Sequence, residues 1–165
     1  MTEKTSPEPR TRKRSVRLSP DEAWSMIKGS HTGILATLRR DGVPIMLPIW
    51  FVVLEDRIYF RTGHSSRKAQ RLRHDARASF LVESGKRWAE LAAVHITGVM
   101  REVDVADPLA EQVSREFEEK YAAFRTPRSE MADATRAHYE RPQLVLELTP
   151  DARMLTWDNA RLGLT

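Results

Sequence analysis

"TGILATLRRDGVPIMLPIWFVVLEDRIYFRT", residues 32–62, decides the fold. Asp41-Gly42 stands between two apolar runs, which signals a hairpin with a two-residue turn. The predicted arms are residues 33–39 and 43–54. The second arm contains "LPIWFVVL" (47–54), the longest apolar run of the chain. Eight residues cannot cross a bilayer, so the run reads as a buried strand. "EDR" (55–57) is a second turn, and "RIYFRT" (57–62) is a third strand returning on the second. Pro44 and Pro48 donate no ladder hydrogen bond, which places the second arm at a sheet edge or a bulge.

Outward from this meander the elements are short and well punctuated. On the N-terminal side Ser19 caps a helix, Pro20 takes its first position and Glu22 completes a capping box. Ala23, Met26 and Ile27 form its apolar side, and Gly29 ends it. On the C-terminal side the pattern predicts a helix at 66–73, a strand at 76–83, a polar loop at 84–91 and a strand at 92–103. Asp107 and Pro108 then start a helix whose apolar stripe is Leu109, Val113, Phe117, Tyr121 and Phe124. A loop with a short helix (127–140) precedes two closing strands, "PQLVLELTP" (142–150) and "ARMLTW" (152–157). Many short strands with late helices imply an α+β fold: a six- to seven-stranded antiparallel barrel with peripheral helices.

The 165 residues suffice for one domain with a real core, which we place at 19–165. Residues 1–18 hold six cations against two anions, so the whole net charge of +4 sits in this segment. It reads as a disordered basic tail, and nucleic-acid attachment through it would be weak and without sequence preference. There is no cysteine, which excludes disulfides, thiolate nucleophiles and zinc–thiolate sites. The polar N-terminus has no signal-peptide pattern, so a cytoplasmic protein without a membrane partner is expected. The five histidines (31, 64, 74, 95 and 138) lack metal-ligand spacing, and no metal site is expected. Nucleophile elbows, P-loops and Rossmann glycine runs are absent.

What remains is residues 61–68, "RTGHSSRK". A helix start carries partial positive charge and unpaired N–H groups, so cations there need a nearby anion. Thr62 offers a hydroxyl, Ser65 or Ser66 caps the helix, Arg67 presents a planar fork and Lys68 a mobile charge. Together they suit a phosphate, although a solvated helix start reads the same way.

The segment "RTGHSSRKAQRLRHDARASFLV" (61–82) resembles the phosphate segment of the pyridoxamine 5′-phosphate oxidase-like split barrels, which are flavin- or deazaflavin-binding oxidoreductases. "TGILATLRRDG", "LPIWFVV", the "GVM" of 98–100 and "TWDNARLG" extend the resemblance over most of 20–165. It implies a homodimer with two cofactor sites at the interface. Leu47, Pro48, Ile49 and Trp50 would border the ring system, with Phe60 nearby. Thr62, Ser66, Arg67 and Lys68 would take the phosphate, and Trp157 would close the pocket. True oxidases of this group carry a basic residue at each end of the segment that is here "IMLPIW", where Ile45 and Trp50 stand. Their fifth-strand Gln is replaced by Ala93, and their C-terminal basic block is unrecognisable, which argues against vitamin B6 chemistry. Pro48–Phe51 and "TWDNARLG" resemble instead the branch that uses coenzyme F420, with FMN as the alternative cofactor. The implied activity is hydride transfer to a small-molecule acceptor, with no side chain standing out as acid or base. The competing reading is a carrier or sensor of flavin, F420 or haem, for which His64, His95 and His138 are the candidate axial ligands.

Overall fold

The structure is a computed structural model that describes residues 15–139 and 142–163. Most of the predicted tail and residues 164–165 lie outside the described residues. The chain joins the fold at Val16, whose carbonyl accepts from the Asp158 amide at 2.8 Å. The first helix, α1 (Pro20–Gly29), begins with the expected capping box: the Ser19 amide donates to Glu22 Oε2 at 2.7 Å, and Ser19 Oγ accepts from the Glu22 amide at 3.3 Å. Its apolar side buries Ala23, Trp24 and Ile27.

Eight strands form one antiparallel sheet. They are β1 (Gly33–Leu38), β2 (Pro44–Ile49), β3 (Val52–Leu54), β4 (Arg57–Gly63), β5 (Arg77–Ser84), β6 (Ala92–Val103), β7 (Gln143–Pro150) and β8 (Leu155–Asp158). The order across the sheet is β2-β1-β5-β6-β7-β4-β3, and β8 pairs with the first half of β6. Three helices complete the fold: α2 (Arg67–His74), α3 (Pro108–Tyr121) and α4 (Asp133–Tyr139).

The long second arm expected over 43–54 is in fact two strands, which raises the strand count to eight. β2 pairs with β1, and β3 pairs with β4, at opposite ends of the sheet order. The chain therefore passes from one edge to the other within Trp50 and Phe51. This curls the sheet into a barrel left open between β2 and β3, a split barrel. β2 is an edge strand, which accommodates Pro44 and Pro48.

The turns also differ from expectation in an instructive way. The β1–β2 connection is a three-residue loop: the Arg39 amide donates to Val43 O (3.0 Å), the Gly42 amide to Arg39 O (2.9 Å), and Gly42 alone has positive φ (80°). A two-residue primed turn needs positive φ at both central residues. That geometry is found instead at Glu55 (47°) and Asp56 (56°), between β3 and β4.

Inside the barrel Phe51, Phe60 and Phe80 pack edge to face, with ring centroids 4.8 and 5.4 Å apart. Trp24 and Ile27 of α1 and Leu72 of α2 join the same core. On the outside, Ala110, Val113, Phe117 and Tyr121 of α3 cover Val52, Tyr59, Val103 and Val145. The predicted stripe ends there: Phe124 lies past the helix and is 60% exposed. Glu147, fully buried on this outer face, accepts from Arg57 (2.7 Å), Arg101 (2.6 and 3.0 Å), Tyr59 (3.1 Å) and Thr149 (3.1 Å). These bonds and both guanidiniums outweigh burial and hold its carboxyl below the usual range, while burial and Glu147 push the Tyr59 hydroxyl up to about 12. No helix among the described residues is long and apolar enough to cross a membrane.

Candidate functional site

β4 delivers the chain to the head of α2 through a short turn. Ser66 caps the helix, its Oγ accepting from the Ala69 amide at 3.1 Å. Thr62 Oγ1 donates to the same oxygen at 3.0 Å, which ties the strand end to the helix start. Thr62, Ser66, Arg67 and Lys68 are thus brought together, and α2 carries no acidic residue in its first turn.

Beside α2 lies an open cleft of about 890 Å³, bounded by the helix and by the β1–β2 loop. Arg67, Gln70, Arg71 and His74 form its helical wall, and Arg39 and Arg40 face them from the loop. None of the lining residues is acidic. Arg39 pairs with the neighbouring Asp41 (2.7 Å), and Arg71 Nε donates to Thr37 Oγ1 (2.8 Å). Arg40, Arg67 and Lys68 have no ion pair among the described residues. Lys68 is half-buried. Burial, and then the Arg71 guanidinium, push its ammonium below the ordinary value. An unpaired, partly desolvated cation beside a second cation is an unfavourable arrangement that an anion would relieve.

The face of β2 formed by residues 45, 47 and 49 starts at this cleft. Ile45 lines it, Leu47 is 44% exposed, and Ile49 borders a second cavity of about 500 Å³ with Trp50, Phe117 and Phe124. Ile45 and Ile49 are four residues apart, roughly 13 Å along a strand. Pro48 is exposed on the other face. Trp50 is fixed by α3: its ring stacks on Tyr121 with centroids 4.2 Å apart and planes 3° from parallel. The Tyr121 hydroxyl accepts from the Phe51 amide (2.9 Å) and faces the carbonyls of Phe51 (2.8 Å) and His31 (2.9 Å). Lys120 Nζ also donates to Phe51 O at 3.0 Å, and burial lowers its pKa to about 8.

Two expected residues sit elsewhere. Phe60 is fully buried against Phe80, so it backs the wall from inside the core and offers no surface to a ligand. Trp157 pairs with Ala93 at the start of β6, whereas Thr62 is level with Leu144, one step beyond the Val103–Val145 pair. Ten residues of β6 separate Ala93 from Val103, roughly 30 Å at about 3.3 Å each. Trp157 is therefore at the far end of the barrel from Lys68 of its own chain. Of the histidines considered as haem ligands, His64 is exposed, His95 is half-buried on β6, and the His138 side chain lies outside the described residues. The described residues contain no group of three or more potential metal ligands.

The sequence reading missed Arg39, Arg40, Arg71 and His74. Arg67, Arg71 and His74 follow i, i+4, i+7 spacing, so a helix-face reading would have joined them. Arg39 and Arg40 gave no signal, because they enter the cleft only once α2 docks on β1.

The family described as pyridoxamine 5′-phosphate oxidase matches residues 19–154. Among solved structures, a conserved hypothetical protein from Mycobacterium tuberculosis is 29% identical, with 94% of each chain covered and a TM-score of 0.75. A haem storage protein from Vibrio cholerae is 16% identical, with 84% of this chain and 94% of that one covered and a TM-score of 0.66. An F420 reductase is 19% identical, with 83% and 98% covered and a TM-score of 0.60. No curated protein matches this chain.

Proposed function

The chain belongs to the pyridoxamine 5′-phosphate oxidase family, and on that premise we propose that it is an oxidoreductase that binds a ring cofactor with a phosphate-bearing side chain, coenzyme F420 or FMN. The observation that carries this reading is a cleft lined by Arg39, Arg40, Arg67 and Arg71 and by no carboxylate, with Lys68 next to Arg67 in α2, half-buried and without an ion pair among the described residues. A phosphate fits that donor set, because guanidinium and ammonium groups make charge-assisted bonds to its oxygens. The open apolar face of β2 fits a tricyclic ring beside it. When bound, the cofactor supplies hydride transfer, and the protein supplies binding and orientation.

Each group then has a part. Arg67 and Lys68 hold the phosphate, and the Thr62–Ser66 bond sets the direction of α2. Leu47, Ile49 and Trp50 wall the ring and exclude water, whereas Pro48 faces the other side of β2. Tyr121 and Lys120 keep that wall in place through Phe51. Val43, Met46 and Leu47 are 46%, 58% and 44% exposed on the β2 edge, an apolar surface that a second copy of the chain would cover. Because Trp157 is at the far end of its own barrel, it could close the cleft only from a second copy of the chain.

The test is titration of the purified protein with F420 and with FMN, followed by tryptophan fluorescence. Micromolar or tighter binding of either cofactor, followed by oxidation of the reduced form in the presence of an acceptor, is the expected result. Binding of neither at micromolar concentration would overturn the reading and leave Arg67 and Lys68 as a solvated helix start.

A further inference from the structure

The cavity of about 500 Å³ lies at the Ile49 end of β2, whereas the basic cleft lies at the Ile45 end. Its wall has two parts. Ile49, Trp50, Phe117, Phe124 and Met131 are apolar, while Arg61, Arg125 and Arg136 bring charge. Glu118 is the one carboxylate among the described lining residues. Two of these cations already share it: Arg61 Nη1 donates to Oε1 at 3.1 Å, and Arg125 Nη1 lies 2.6 Å from Oε2. Burial pushes its carboxyl up, but the bonds from Arg125 and Arg61 outweigh this and hold it below the usual range, so it counts as a full negative charge at neutral pH. Arg136 pairs with Asp133, which is outside the lining and whose side chain is 94% exposed. Exposed pairs of this kind are weak. The described lining thus sets three cations against one anion. Phe124 is braced by the His31 ring at 4.3 Å, and His31 in turn meets Trp50 at 5.8 Å. A braced, exposed aromatic beside guanidiniums in excess of carboxylate suits a flat anion.

We propose that this cavity is the acceptor site and that it takes a small aromatic acid, with the ring against Ile49, Trp50 and Phe124 and the carboxylate at Arg125 and Arg136. This names the substrate class of the oxidoreductase proposed above and rests on that reading. The reducible part of the acid is a conjugated double bond or a quinone ring. It takes a hydride from the reduced cofactor and a proton from water, so the acid gains two hydrogens and the cofactor is left oxidised. Arg125 and Arg136 are then specificity-determining residues: a planar fork binds a carboxylate through two parallel bonds, and a neutral analogue forfeits them. Both belong to the segment after α3, outside the strands that carry the cofactor wall.

The experiment measures binding of 2-naphthoate and of neutral 2-naphthamide to the full chain by calorimetry, with and without saturating F420 or FMN. The acid should bind at least tenfold more tightly than the amide. The double variant Arg125→Gln, Arg136→Gln should lose tenfold or more for the acid and less than twofold for the amide, with cofactor affinity changed less than twofold. Phe124→Ala, at an exposed position, should weaken acid and amide by the same factor. Arg136→Lys keeps a charge without the fork and should fall between the parent chain and Arg136→Gln for the acid. Equal affinity for acid and amide, no loss in the double variant, or displacement of the acid by the cofactor would overturn the proposal. Arg125- and Arg136-dependent binding of the acid by a chain that binds neither F420 nor FMN would refute the oxidoreductase reading while retaining the aromatic-acid site.

Discussion

Tyr121→Phe removes one oxygen and should cost about 2 kcal/mol. The hydroxyl lies in the fully buried end of α3 and accepts from the Phe51 amide at 2.9 Å. Phe51 is itself fully buried, so its N–H has no water to turn to. Leaving a buried donor unsatisfied costs about 1–3 kcal/mol. The Phe51 carbonyl loses less, because Lys120 Nζ still donates to it at 3.0 Å. The aromatic ring is retained, so the stack on Trp50 and the contact with Phe117 persist. About 2 kcal/mol corresponds to a fall of about 4–8 °C in unfolding temperature for a chain of this size. Urea denaturation followed by circular dichroism measures it, with an unchanged m-value showing that the native state stays compact. A loss under about 0.5 kcal/mol, the range of an ordinary surface substitution, would refute the claim that this hydroxyl clamps the crossover.

Three other outcomes follow from the same geometry. Lys68→Ala should weaken binding of the phosphate-bearing cofactor by about 1.5–3 kcal/mol, the scale of a charged hydrogen bond, and unchanged affinity in equilibrium titration would remove Lys68 from the site. Lys120 loses its proton near pH 8 when folded and near 10.5 when unfolded, so the unfolded chain holds more protons between those values and stability from this group rises with pH across that window. Lys120→Met should abolish that part of the rise in denaturation midpoints between pH 7.5 and 9.5 (about 8 is the folded value), and an identical pH slope in both proteins would refute it. A Cβ at Gly98 would stand 2.2 Å from the Thr149 carbonyl oxygen, whereas one at Gly29 meets nothing within 4 Å. Gly98→Ala should therefore cost about 3 kcal/mol and Gly29→Ala nothing or less, and equal urea midpoints would contradict the close approach of β6 and β7.

Much of the fold was legible because its punctuation is local. Ser19 with Glu22, and Asp107 with Pro108, mark helix starts through bonds that span three residues or fewer, and β6 reads as one strand because Ala92–Val103 has no breaker that forces a turn. The break at Trp50–Phe51 was not legible, since those residues are as apolar and β-prone as their neighbours. Tyr121 and Lys120, about seventy residues later, impose it. Phe60 was misplaced for a related reason: β4 is buried on both faces over Ile58, Tyr59 and Phe60, so alternation gives no sign of which side chain reaches a ligand. In the site, Arg67 and Lys68 were visible because two cations at a helix start break a physical rule. Arg39 and Arg40 break none, and only the docking of α2 against β1 brings them to the same cleft as Arg67.

The strand order also dictates when the molecule can close during synthesis. By Val103 the chain has made β2-β1-β5-β6 as one ribbon and β4-β3 as another, joined covalently at Trp50–Phe51 and through α2 but with no ladder between them. β7, forty residues later at Gln143–Pro150, pairs with β6 on one side and β4 on the other. It acts as a keystone: until the ribosome releases it, β6 and β4 both present bare edges that can recruit a neighbouring nascent chain. A chain cut short before Gln143 would then be two half-arches prone to aggregation, and substitutions in β7 would reduce yield of folded protein more than equal losses of buried area elsewhere.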